Sequence, residues 1–129
     1  MFQIDPLSRQ PVYEQIMNQV EKFILNGILT PGSQIPSVRS ISIEHSINPR
    51  TILKAYTELD GKGLLRAVPG KGYYVCEDAL QTLNKSNTEL LGTLSKMVTN
   101  MALANVPEES VLQCVKDAYA KSRKEKSND

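Results

Sequence analysis

The sequence predicts a mainly α-helical fold with a single small β-hairpin. Three observations predict it. Residues 35–65 hold two short helical patterns joined only by Ser46-Ile47, a link too short for anything but a tight turn. Two short β-prone runs, 64–68 and 73–76, flank the turn Pro69-Gly70-Lys71-Gly72, which reads as a hairpin. Past residue 80 the apolar positions recur at four and three residues, the period of a helix that cannot bury its stripe alone. Together these give a winged helix-turn-helix over 1–76 and a two-helix dimerisation hairpin over 77–129.

Taken in order, residues 1–9 carry Phe2, Ile4 and Leu7, an arm that packs across the domain or a partner. Pro11 opens the first helix, whose stripe is Val12, Ile16, Val20, Phe23 and Ile24. Gly27 ends it by taking the left-handed cap, and Pro31-Gly32 makes a turn. Ser37 is an N-cap ahead of Val38 and Ile41. Asn48 followed by Pro49 is the N-cap and first position of the third helix.

At about 100° per residue, Ile52, Ala55, Tyr56 and Leu59 share one stripe of that third helix, while Arg50, Lys54 and Thr57 lie opposite. An apolar back with long donors in front is what a helix lying in a DNA major groove needs. A solvated polar face gives the same wheel, so the hairpin is what tips the reading. Its glycines let the backbone pass close to a phosphate and Lys71 brings a charge.

Glu77-Asp78 marks a composition shift, read as a hinge. Leu83, Asn87, Leu90, Leu94, Met97 and Met101 then form a seam, widened by Leu91 and Val98. Asn87 either fixes register within it or stands solvated ahead of the packed part. Asn105 ends this helix and Pro107 starts the next, with Glu108 and Glu109 in the first turn, where the helix dipole favours anions. Val111, Leu112, Val115, Ala118 and Tyr119 form its stripe. Two such hairpins from two chains make a small helical bundle, with Leu83, Leu90, Leu94, Met97, Met101, Leu112, Val115 and Tyr119 as its dimerisation residues. The basic tail, residues 121–126, reads as a solvated helix end.

Residues 1–76 resemble a GntR-type bacterial transcription regulator, and the short tail resembles the YtrA-like subfamily. The match runs in order through Pro11-Val12-Tyr13-Glu14-Gln15-Ile16, Gly27, Pro31-Gly32, Ile35-Pro36-Ser37, Arg39, Asn48-Pro49, Thr51, Ala55-Tyr56, Leu59, Gly63-Leu64, Gly70, Gly72 and Val75. The resemblance implies homodimers and operator binding, with contacts from Arg39, the start of the third helix and the wing tip. The site residues it suggests are Ser37, Arg39, Asn48, Arg50, Thr51, Lys54, Gly70, Lys71 and Gly72. Asn48 would turn backbone N–H groups toward a phosphate. Arg39 has a structural alternative, pairing with Glu44. The sequence departs from the family pattern at His45, Ser46, Ile43, Tyr73 and Leu53. Ser46 stands in the turn where a positive φ favours glycine. Leu53 flanks the groove face where some relatives carry an arginine. It is read as packing at the helix edge, with a thymine methyl contact as the alternative.

Composition bounds the rest. The chain has 129 residues, enough for one modest core and an appendage. Net charge is +1, a mild argument against nucleic acid. Its distribution argues the other way: residues 36–75 carry six Lys/Arg against three Asp/Glu. Cys76 and Cys114 read as buried thiols of a cytoplasmic protein. No apolar run approaches a membrane span, and no signal peptide is visible. One histidine, no metal-ligand spacing, no P-loop and no nucleophile elbow leave no enzymatic or cofactor reading. The function expected is a homodimeric repressor on a near-palindromic operator, with room for an unidentified small-molecule effector. The alternative is a winged-helix protein-interaction module.

Overall fold

The computed structural model describes residues 1–127, with side chains through residue 124. The elements run α1 (Val12–Leu25), α2 (Val38–His45), α3 (Pro49–Gly61), β1 (Leu65–Val68), β2 (Gly72–Val75), α4 (Ala79–Leu103) and α5 (Glu108–Ser127). The expected mainly helical fold with one antiparallel hairpin is what forms. The chain divides into two compact units, 1–86 and 87–129.

Unit one is built on the stripes read from the sequence. Ile16, Val20 and Ile24 of α1, Ile41 of α2, and Ile52, Ala55, Tyr56 and Leu59 of α3 are fully buried together with Leu64, Leu65 and Val75. α1 and α2 both pack on α3, so α3 is held from behind and its other side is left outward. Ser37 Oγ accepts the Ser40 N–H at 3.0 Å, capping α2. Tyr56, wholly buried, donates its hydroxyl to Pro36 O at 2.7 Å, tying α3 to the start of α2. Burial drives that phenol's pKa far above its ordinary value.

The turn between α2 and α3 is as tight as the two-residue link requires. Ser46 adopts φ 54° and ψ 45°, the left-handed conformation expected there. His45 is half-buried, and its Nε2 has no hydrogen-bond partner within the described residues.

The arm packs within its own chain. Phe2 is buried against Phe23, with ring centroids 5.9 Å apart. Gln15, the buried polar residue of α1, accepts from Asp5 N and donates to Asp5 O and Gln10 O, so its burial leaves nothing unsatisfied.

In the hairpin, Leu65 pairs with Val75 and Val68 with Gly72. The segment before α2 adds to it: Gly32 N donates to Val75 O, Val75 N to Ser33 O, and Ile35 N to Tyr73 O.

Two expectations change around residue 77. The hinge read at Glu77-Asp78 is a turn within unit one, where Ala79 N donates to Cys76 O. Ala79 and Leu83 are buried in the core of unit one. The seam's first member is therefore packed inside its own chain, because the start of α4 closes the winged domain before the helix leaves it. The cysteines also differ from expectation: Cys76 is half-buried and Cys114 is exposed. Burial, with Asp78 and Asp60 nearby, pushes the Cys76 thiol's pKa up.

Unit two comprises the rest of α4 and α5, joined through Asn105 at φ 63°. Val106 N returns to Met101 O at 3.0 Å, closing the end of α4. Leu90, Leu94, Met97, Leu112, Val115 and Tyr119 are exposed, at 39–63% of their surface, and Met101 is half-buried. The chain alone leaves these stripes open to water. Part of the basic tail, the side chains of Glu125 and Lys126, lies outside the described residues.

Candidate nucleic-acid interface

Pro49 fixes the backbone at the first position of α3 and Asn48 caps it, with Oδ1 accepting the Arg50 N–H at 2.9 Å. Thr51 N donates to Asn48 O at 3.0 Å. With Pro49 lacking an N–H, the first-turn amides are already satisfied. Of the backbone N–H groups that Asn48 was expected to turn toward a phosphate, those of Arg50 and Thr51 are engaged by Asn48 itself.

With the core stripe held inward, Arg50, Lys54 and Thr57 are exposed and Thr51 is half-buried. Arg39 is exposed in the first turn of α2. Lys62 pairs with Glu21 at 3.0 Å, and His45 approaches Glu44 at 3.9 Å. Arg39 is not engaged by Glu44. Lys54 is engaged, with Nζ 3.9 Å from the centroid of the Tyr13 ring on α1. This cation–π seat was not read from the sequence, where the two residues are 41 positions apart.

Leu53 is 45% exposed. It is not among the side chains packed on the core of unit one.

In the wing, Lys71 N donates to Val68 O at 2.9 Å, and Gly70 and Gly72 take φ of +77° and +119°. These values belong to glycine. A Cβ on Gly72 would lie 3.2 Å from Gln34 Nε2. Gln34, in the strand-like segment before α2, donates that Nε2 to Lys71 O at 2.6 Å. It buttresses the loop tip, and nothing local in the sequence marks it. Arg66 on β1 lies 5.6 Å from the Tyr74 ring and is exposed.

Unit one thus exposes Arg39, Arg50, Lys54 and Thr57 on two helices and Lys71 on the hairpin. It offers donors and cations to an anionic, acceptor-rich partner. Among the described residues no group of His, Cys, Asp or Glu could hold a metal, and no helix is long and apolar enough to cross a membrane.

The model of bacterial regulatory proteins of the gntR family matches residues 12–75. The HTH-type transcriptional repressor YtrA of Bacillus subtilis is 36% identical over 130 residues, covering the whole of both chains. A transcriptional regulator from Oenococcus oeni superimposes with a TM-score of 0.67 at 28% identity, covering 90% of this chain and 97% of its own. AraR(DBD) in complex with operator ORX1 aligns with a TM-score of 0.51 at 32% identity, over 59% of this chain and 93% of that one.

Proposed function

This chain belongs to the gntR family of bacterial regulatory proteins, and from that premise we propose that it is a cytoplasmic homodimeric repressor holding a near-palindromic operator. The observation that carries the proposal is the division of α3. Ile52, Ala55, Tyr56 and Leu59 are buried, Arg50, Lys54 and Thr57 are outward, and the wing is buttressed by Gln34. Arg50 reads a base edge, by the fork geometry that suits guanine O6 and N7. Arg39, Lys54 and Lys71 hold phosphates, Lys71 from the wing toward the neighbouring minor groove, and Ser37, Asn48 and Thr51 contribute short polar contacts. The exposed stripes of α4 and α5 join two chains through Leu90, Leu94, Met97, Met101, Leu112, Val115 and Tyr119. Two-fold pairing sets the half-sites about one helical turn apart. Repression follows from excluding polymerase. YtrA of B. subtilis, named a repressor, supports this reading over its full length.

A gel-shift titration at two salt concentrations, against the DNA flanking this chain's gene, tests the proposal. A shifted complex that weakens steeply with salt is expected, with a log–log slope of about −0.9 per phosphate held. Absence of any shift at low salt would leave the winged domain without its duplex partner and overturn the proposal. In the same assay Arg50→Ala should cost about 1–3 kcal/mol for each half-site and relax specificity at one base pair in each.

A further inference from the structure

We infer that Leu53 is a specificity-determining residue that reads the 5-methyl group of a thymine in each half-site. The inference rests on the operator reading above and deepens it. Leu53 lies three residues after Arg50 and four before Thr57, on the helix whose buried stripe is Ile52, Ala55, Tyr56 and Leu59. At 3.6 residues per turn, Arg50 and Thr57 point within about 20° of each other and Leu53 within about 60° of both. A helix that puts Arg50 and Thr57 against the groove floor cannot keep Leu53 out of the contact.

Leu53 has the surface to give, being 45% exposed with the core closed behind it. What it meets is then decided by the groove. Along base edges the major groove presents acceptors and amino donors, and its one apolar group is the thymine methyl. A leucine laid over guanine, adenine or cytosine would strip water from a polar atom without replacing its hydrogen bond. Laid over thymine it removes two apolar surfaces from water. Ile43, more exposed at 69%, is on α2, the helix that crosses the backbone in this docking, so it does not share this role.

The test uses the full chain and duplexes it selects from a random-sequence pool. Each thymine of the selected site is replaced singly by deoxyuridine, which removes the methyl and nothing else. One position per half-site should weaken wild-type binding about fourfold, the worth of one buried methyl-sized group. Leu53→Ala should bind with no further loss at that position while keeping the wild-type response elsewhere, and its thermal melt should be unchanged because the side chain is outside the core. Leu53→Arg should move the preference at that base pair from thymine to guanine. A selected site whose uracil responses are the same in wild type and Leu53→Ala overturns the inference and leaves the operator reading intact. A pool that yields no enriched sequence overturns the operator reading itself, and this inference with it.

Discussion

Lys54 shows how a single side chain on this surface is prepared. Its ammonium sits 3.9 Å from the Tyr13 ring centroid, and the Tyr13 hydroxyl donates to Glu14 Oε1 at 3.2 Å. The ring faces the charge of an ammonium that carries three donors. Two consequences separate positioning from contact. Lys54→Ala should reduce the magnitude of the log–log salt slope by about 2, one phosphate contact being lost in each half-site. Tyr13→Leu should weaken operator binding with that slope retained, while Tyr13→Phe, which keeps the ring, binds as wild type. If Lys54→Ala left the salt slope unchanged, Lys54 would hold no phosphate. Ser46 is a second residue with a stated cost. At φ 54° it holds a left-handed backbone that disfavours any side chain by roughly 1–2 kcal/mol. Glycine there loses roughly 0.5–1 kcal/mol more on folding through its freer unfolded chain. Ser46→Gly should therefore raise stability by roughly 0.5–1 kcal/mol, read as a shift of the denaturation midpoint at constant m-value.

At the scale of elements, the parts legible in the sequence are those whose cause is local. Ser37 and Asn48-Pro49 mark their helix starts because a cap bonds within three residues, and the α3 wheel identifies its buried stripe because the period belongs to the helix alone. What escaped depends on partners far along the chain. The Gln34–Lys71 hydrogen bond spans 37 residues, and the Tyr13–Lys54 seat joins two separate helices. Leu83 is illegible for a different reason. α4 keeps one period from Ala79 onward, and that pattern does not reveal that its first turns serve the winged core. The wing makes this testable as an element. Gln34→Ala should remove the one side-chain bond to the loop carbonyl, at about 1 kcal/mol or less because Gln34 is exposed. Its larger effect should be on DNA: footprint protection at the wing's end of each half-site weakens, while protection under α3 is kept. Equal weakening at both places would mean that Gln34 supports the domain as a whole and not its loop.

For the molecule as a whole, the question is how a surface with so little net charge holds DNA. Net charge is +1, and the cations that face outward on α2, α3 and the wing are few. A small set of phosphate contacts gives modest attraction, so one winged domain alone should bind weakly. Joining two of them makes the second contact effectively intramolecular. Such linkage raises overall affinity by roughly 10²–10⁴ without any new contact, provided the geometry lets both half-sites engage. In the proposed dimer the joining falls to the exposed stripes of unit two. The place to cut follows from burial. Ending the chain at Glu77 would remove Ala79 and Leu83 from the core, so any loss of binding could be loss of fold. Ending it after Ser86 keeps the whole of unit one. That truncated chain should melt cooperatively, sediment as a monomer, and bind the operator roughly 10²–10⁴-fold more weakly, with about half the wild-type salt slope. A truncated chain that remained dimeric would place the subunit contact on the winged domain, and one that bound as tightly as the full chain would show that pairing adds nothing to recognition.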